Sequence, residues 1–211
     1  MKSRYYLCQK PTCRFRFPAI EKESGYTCPK CGSPAEPIQS IQAESTNKAQ
    51  NDRRLSISVL LDNIRSAHNV GSIFRTADAF LVEAVYLCGI TATPPHREIN
   101  KTALGATESV SWKYFDNAAG AVRELKAKGY LIVSVEQADE ALPLDRFTAE
   151  AGKKYALVFG HEIRGVSEEV VDLSDACIEI PQFGTKHSFN VAVSAGIVLW
   201  ELTGRIKSSG S

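Results

Sequence analysis

From Leu55 onward the chain alternates apolar runs of strand length with segments whose apolar residues recur every three to four positions, and this pattern restricts its fold more than any other feature. The runs are LSISVLL (55–61), AVYLCG (84–89), YLIVSV (130–135), YALVFG (155–160) and CIEIP (177–181), with SWKYF (111–115) a weaker sixth. Between them Val70, Ile73, Phe74, Ala77 and Leu81 make one helical stripe, and Ala118, Val122 and Leu125 another that Gly129 ends. Parallel neighbours need crossover helices, and those helices cover both faces of the sheet. The expected class is α/β with a mostly parallel sheet.

A chain of 211 residues that is 44% hydrophobic can close such a core without disulfides. Its most apolar stretch, Val191 to Leu202, falls well short of the ~20 residues that span a bilayer, and MKSRYYLCQK lacks a signal-peptide core. A cytoplasmic protein with no membrane partner is expected. The near balance of 25 basic and 24 acidic residues hides an asymmetry. Residues 1–40 carry seven basic against three acidic side chains, and the remainder eighteen against twenty-one. A basic head on a mildly acidic body suggests a polyanionic partner.

The cysteines divide the chain at the same place. Cys8-x4-Cys13 and Cys28-x2-Cys31 lie in the head, and in a reducing compartment two short-spaced pairs suit a tetrahedral site of four thiolates. Pro29 and Gly32 supply turn chemistry in CPKCG. The head is therefore expected to be a zinc ribbon held by a structural zinc ion. Tyr6 and Phe17 should form its small core, leaving most of its cations outside to meet phosphates. Cys88 and Cys177 are expected to be buried core thiols. The polar stretch 38–54 reads as a linker or a frayed helix.

Neither G-x-G-x-x-G nor a phosphate-loop pattern occurs. An ordinary dinucleotide fold is thereby disfavoured. The unusual residues lie instead in three segments: HNVGSIFRTADAF with Asn69 and Arg75; VFGHEIRGVSEEV with Gly160, Glu162 and Gly165; and IEIPQFGTKHSFNVAVSAGIVLWEL with Pro181, Gly184, Ser188 and Asn190. In this order, over roughly residues 55 to 205, they resemble the SpoU/TrmH family of RNA ribose 2'-O-methyltransferases, SPOUT proteins with a trefoil knot.

The resemblance implies methyl transfer from S-adenosylmethionine to a ribose 2'-hydroxyl of tRNA or rRNA. It implies that Arg75 activates the hydroxyl, although an exposed helical arginine is by itself only a solvated charge. Arginine can stabilise an alkoxide or hold the neighbouring phosphate without titrating near neutral pH. Asn69, Glu162, Ser188 and Asn190 complete the implied site. Glu162 would act through hydrogen bonds, with His161 and Arg164 beside it meeting RNA. The backbone near Leu157, Gly160, Ile180 and Ser188, Asn190 and Val191 would surround the cofactor. From residue type alone, Asn69 and Ser188 each read equally well as helix caps, with Ser188 opening the last helix. That helix, from about Phe189 to Leu202, is apolar on nearly every side and must be buried all round, which suits the family's homodimers.

The expected domains are a zinc ribbon at 1–40, a linker at 41–54, a SpoU-type domain at 55–207 and a tail at 208–211. Two alternatives stand beside this. A SPOUT enzyme could methylate a base nitrogen, or the chain could be an inactive zinc-ribbon RNA binder.

Overall fold

The computed structural model describes residues 3–20, 25–38, 54–185 and 188–209. The linker residues 39–53, the end of the tail at 210–211, and Lys186 and His187 of the third segment lie outside the described residues. The chain divides into two compact units, Met1–Asp52 and Arg53–Ser211.

In the first unit, β1 (Ser3–Cys8), β2 (Arg16–Ile20), β3 (Tyr26–Thr27) and β4 (Pro34–Pro37) form an antiparallel sheet in the order β2-β1-β4-β3. Its core is very small. Tyr6, Phe17 and Ala35 are buried with Cys8 and Cys28, and the rings of Tyr6 and Tyr26 are 4.3 Å apart. Lys10, Arg14 and Arg16 are exposed.

In the second unit the elements are β5 (Leu55–Asp62), α1 (Ala67–Ala79), β6 (Val82–Cys88), α2 (Arg97–Ala103), α3 (Ala106–Ser109), β7 (Ser111–Phe115), α4 (Ala118–Ala127), β8 (Tyr130–Val135), β9 (Leu142–Pro143), β10 (Lys154–Phe159), α5 (Glu168–Leu173), β11 (Ala176–Glu179) and α6 (Val191–Ser209). The seven strands are parallel throughout, in the order β7-β6-β5-β10-β8-β11-β9. Side-chain alternation on β5 sends Ile57, Val59 and Leu61 into a core shared with α1 and α6, and Leu60 into a second core shared with α4 and α5. Both faces are covered, as parallel sheets require.

The chain runs outward from β5 through β6 to β7, crosses to β8 and returns to place β10 beside β5. The direction of winding thus reverses between β5 and β10. Crevices at such reversals, beyond the carboxyl ends of the strands, are where ligands of open α/β sheets bind.

Some expectations need correction. Leu81 does not extend the first helix: α1 ends at Ala79, and Leu81 turns back with φ 56° to lead into β6. The strand expected through Pro181 ends at Glu179. Cys88 is fully buried, and burial pushes its thiol up to about 12, but Cys177 is only half-buried. The last helix starts at Val191 and is not covered all round: Val193 is 49% and Trp200 71% exposed. Among the described residues, no helix is long and apolar enough to cross a membrane.

Candidate functional site

The loop after β10 crosses the reversal point. His161 and Gly165 exchange backbone hydrogen bonds of 2.9 and 2.8 Å, which closes the loop on itself and pushes Glu162 to its tip. Gly160 is needed here for close approach, because a Cβ on it would lie 2.1 Å from the Gly165 carbonyl carbon and the Val166 nitrogen.

Glu162 reaches the start of α1. Its Oε2 accepts from the Arg65 N–H at 2.9 Å, and its Oε1 accepts from the Ser66 N–H at 3.0 Å and from Asn69 Nδ2 at 3.0 Å. Partial burial would raise this carboxyl, but the Arg65 N–H and the other donors outweigh it and hold Glu162 below the usual carboxylate range. A low, fully engaged carboxylate is a clamp and not a proton acceptor near neutral pH.

Asn69 continues the chain of contacts. Its Oδ1 accepts from Asn190 Nδ2 at 3.1 Å, and Asn190 Oδ1 accepts from the Ala192 N–H at 2.9 Å, capping α6. The caps therefore differ from expectation. Ser66, whose Oγ accepts the Asn69 N–H, caps α1, and Asn190 rather than Ser188 caps α6. Both asparagine side chains are thereby committed across segments, and the three sequence motifs meet through Glu162, Asn69 and Asn190.

Beside this chain, at the ends of β8, β10 and β11, lies a cavity of about 340 Å³. Of the residues expected around a cofactor, Gly160, Ile180, Ser188 and Val191 line it, as does Glu162. Leu157 does not line it, because its side chain is fully buried within β10, and Asn190 is turned to Asn69 instead. Glu136, Gln137, Glu179, Gln182 and Ser194 also face the cavity and gave no sequence signal. Glu136 also braces the loop: its Oε2 accepts from the Val166 N–H at 2.8 Å and sits against Gly165, whose φ is 72°.

Arg75 stands apart. It is exposed on α1, six residues or about 9 Å along the helix from Asn69. Among the described residues its guanidinium has no partner, and it does not line the cavity.

In the first unit the four cysteine Sγ atoms all lie within 4.8 Å of one another. Cys8 and Cys31 are 3.5 Å apart, and Cys13 and Cys28 are 3.9 Å apart. A tetrahedron with Zn–S bonds of about 2.3 Å has edges of about 3.8 Å, so the donor set fits a zinc ion in number, softness and spacing. The Cys31 turn is closed by the Gly32 N–H donating to the Cys28 carbonyl at 2.8 Å, with Gly32 at φ 69°.

A parallel α/β sheet with a crevice at the winding reversal is a ligand-binding architecture, and the sequence comparisons narrow it. Residues 56–200 match the model of the SpoU rRNA Methylase family, and the chain belongs to that family. It is 36% identical over 143 residues to a 23S rRNA (guanosine-2'-O-)-methyltransferase of Neisseria meningitidis, covering 68% of this chain and 56% of that one. The chain thus matches little more than half the length of that relative. The crystal structure of the Aquifex aeolicus TrmH/SpoU tRNA modifying enzyme superposes with a TM-score of 0.68 at 30% identity, covering 75% of this chain and 79% of that one. The AdoMet-bound rRNA methyltransferase of Sinorhizobium meliloti superposes with a TM-score of 0.66 at 27% identity, covering 72% and 57%.

Proposed function

We propose that this chain is an S-adenosylmethionine-dependent RNA methyltransferase that modifies a ribose 2'-hydroxyl of tRNA or rRNA, working as a cytoplasmic homodimer. The observation that carries the proposal is the Glu162, Asn69 and Asn190 chain, which joins all three family segments at the winding reversal beside a ligand-sized cavity.

The cavity suits the cofactor. Ile180, Phe189 and Val191 offer an apolar wall for a flat base, and Gln182, Ser188 and Ser194 offer polar edges. When bound, S-adenosylmethionine supplies an electrophilic methyl group carried on a sulfonium. The protein supplies position and charge. Glu162 fixes the loop that separates the cavity from α1, and Asn190 ties the start of α6 to the same helix. Arg75, a guanidinium without a partner among the described residues, would meet the ribose oxygen or its neighbouring phosphate and lower the cost of ionising a poorly acidic hydroxyl. Oxygen rather than base nitrogen is favoured because Glu162, the carboxylate among the proposed catalytic residues, already accepts from three donors and is held below the usual carboxylate range, which makes it a weak proton acceptor.

In this reading residues 180–185 and 188–190 belong to the family's knotted segment. The exposed Val193 and Trp200 face of α6 is covered by a second protomer, and Cys8, Cys13, Cys28 and Cys31 hold a structural zinc in a head that binds RNA. Complete nuclease digestion of RNA incubated with the protein and S-adenosylmethionine tests the activity. Mass spectrometry should find a 2'-O-methylnucleoside. A base-methylated nucleoside would support the nitrogen-transfer alternative, and no methylated nucleoside would support the inactive binder.

A further inference from the structure

The cations around α4 and α5 differ from two arginines near the start of α1. Around α4 and α5, Lys113, Arg123, Lys126 and Lys128 each sit 2.7 to 2.8 Å from a carboxylate of Glu124, Glu169 or Asp175. Charges paired in this way are largely cancelled for any distant anion. Around the start of α1, Arg65 and Arg164 are exposed, and neither guanidinium has a partner among the described residues. The two are held near each other, because the Arg65 N–H is bonded to Glu162, two residues before Arg164.

Beside Arg164 opens a second cavity of about 340 Å³, lined also by Asp62, Asn63, Ile90, His161, Gly165 and Ser167. It shares only His161 and Gly165 with the cofactor cavity. The 161–165 loop is thus a partition: one cavity lies over β8, β10 and β11, and the other over β5 and β6. The floor of the second is rigid. Asp62 Oδ2 accepts from the Ser167 N–H at 2.8 Å, Asn63 Nδ2 donates to Asp62 Oδ1 at 2.8 Å, and the Ile90 N–H donates to Asn63 Oδ1 at 3.1 Å. Its unused groups are the Ile90 side chain, 64% exposed, the Arg164 guanidinium, and Nε2 of His161, whose Nδ1 already accepts from the Ile163 N–H. An apolar surface, an open ring edge and the Arg164 guanidinium, with Arg65 exposed near the cavity rather than lining it, match an unstacked nucleotide and its flanking phosphates.

We propose that this groove seats the RNA strand, with Arg65 and Arg164 holding successive phosphates and one base lying against Ile90 and the His161 ring. The proposal rests on the methyl-transfer function above, since it puts RNA on the side of the partition opposite the cofactor. The test uses the full zinc-loaded chain and a fluorescein-labelled oligouridylate of about 20 nucleotides, titrated between about 50 and 200 mM KCl. Arg65→Gln with Arg164→Gln should flatten the dependence of log Kd on log salt by about 1.4, near 0.7 for each lost phosphate contact. Ile90→Glu should weaken binding about tenfold. Lys113→Gln with Lys126→Gln removes the same charge from the paired face and should leave the slope unchanged.

Each variant should bind S-adenosylmethionine within twofold of the parent. Equal slopes for the two double variants, an unchanged slope for the arginine pair, or no binding of the probe by the parent would overturn the groove. So would joint loss of RNA and cofactor binding in the arginine pair, which would place Arg164 in the cofactor's wall. A flattened slope in a protein that makes no 2'-O-methylnucleoside would retain the groove and sink the methyl-transfer function. An unchanged slope in a protein that does make one would do the reverse.

Discussion

Glu162 Oε1 lies 3.0 Å from Asn69 Nδ2, a contact across 93 residues of chain that ties the loop after β10 to the first turn of α1. The same carboxylate takes two backbone N–H groups there, Arg65 and Ser66. It therefore fills helix-start donors that α1 cannot fill itself. The crevice is kept in shape by a charge.

This gives Glu162 a pH signature. Its folded pKa lies below the unfolded value near 4.3, so its contribution is present above that value and is lost as pH falls through the folded pKa. Glu162→Gln should lower stability at neutral pH by about 1 kcal/mol, a modest figure because the group is exposed and solvent-screened. The difference from the parent should shrink below about pH 4. Thermal melts across pH check this, and a pH-independent difference would contradict the clamp.

Gly160→Ala should be more damaging than its size suggests. The added Cβ meets the backbone of Gly165 and Val166, which a rotamer change cannot move. A loss of about 1–3 kcal/mol is expected, together with at least tenfold weaker cofactor binding, since Gly160 lines the cavity. Calorimetric titration with S-adenosylmethionine measures the second effect.

Replacing Cys28 and Cys31 by Ser removes two donors of the sulfur cluster. Binding free energies for structural zinc of about 10–16 kcal/mol exceed anything the few buried residues of the first unit can supply, so that unit should unfold. Metal analysis should fall from one zinc per chain to none, and RNA binding should weaken. Cofactor affinity should hold, because the cavity belongs to the second unit.

Trp200 tests the proposed dimer. Exposed by 71% and edge-on to Phe80 at 6.3 Å, it gives α6 an apolar face left open among the described residues. Trp200→Glu with Val193→Asp should convert a dimer into a monomer in sedimentation experiments. An unchanged mass would place the interface elsewhere.

Much of this was legible in residue spacing. The runs at 55–61, 84–89, 130–135 and 155–160 became β5, β6, β8 and β10 within a residue or two at each end, because buried parallel strands are continuously apolar. The short elements were not legible. α2, α3, α5 and the two-residue β9 are too brief to show a period, and tertiary contacts hold them. At the site, residue types pointed to Asn69, Glu162 and Asn190, yet only the fold showed their roles. Asn69 looked like a cap, but Ser66 occupies that position and frees Asn69 to bridge Glu162 and Asn190. Leu157 matched a family position, but strand alternation turns its side chain into the core. Ile90 carried no motif, and its place in the second cavity depends on β5 and β6 being neighbours.

The proposed transfer to a ribose oxygen makes Arg75 the activating group. Partial alkaline hydrolysis of total RNA after incubation with S-adenosylmethionine tests it most directly, because a methylated 2'-oxygen cannot attack the adjacent phosphodiester. The parent protein should create an alkali-resistant position. Arg75→Ala should create none, with turnover reduced about a hundredfold or more while cofactor affinity stays within twofold. Full resistance from Arg75→Ala, or methyl incorporation that leaves every position cleavable, would contradict the account.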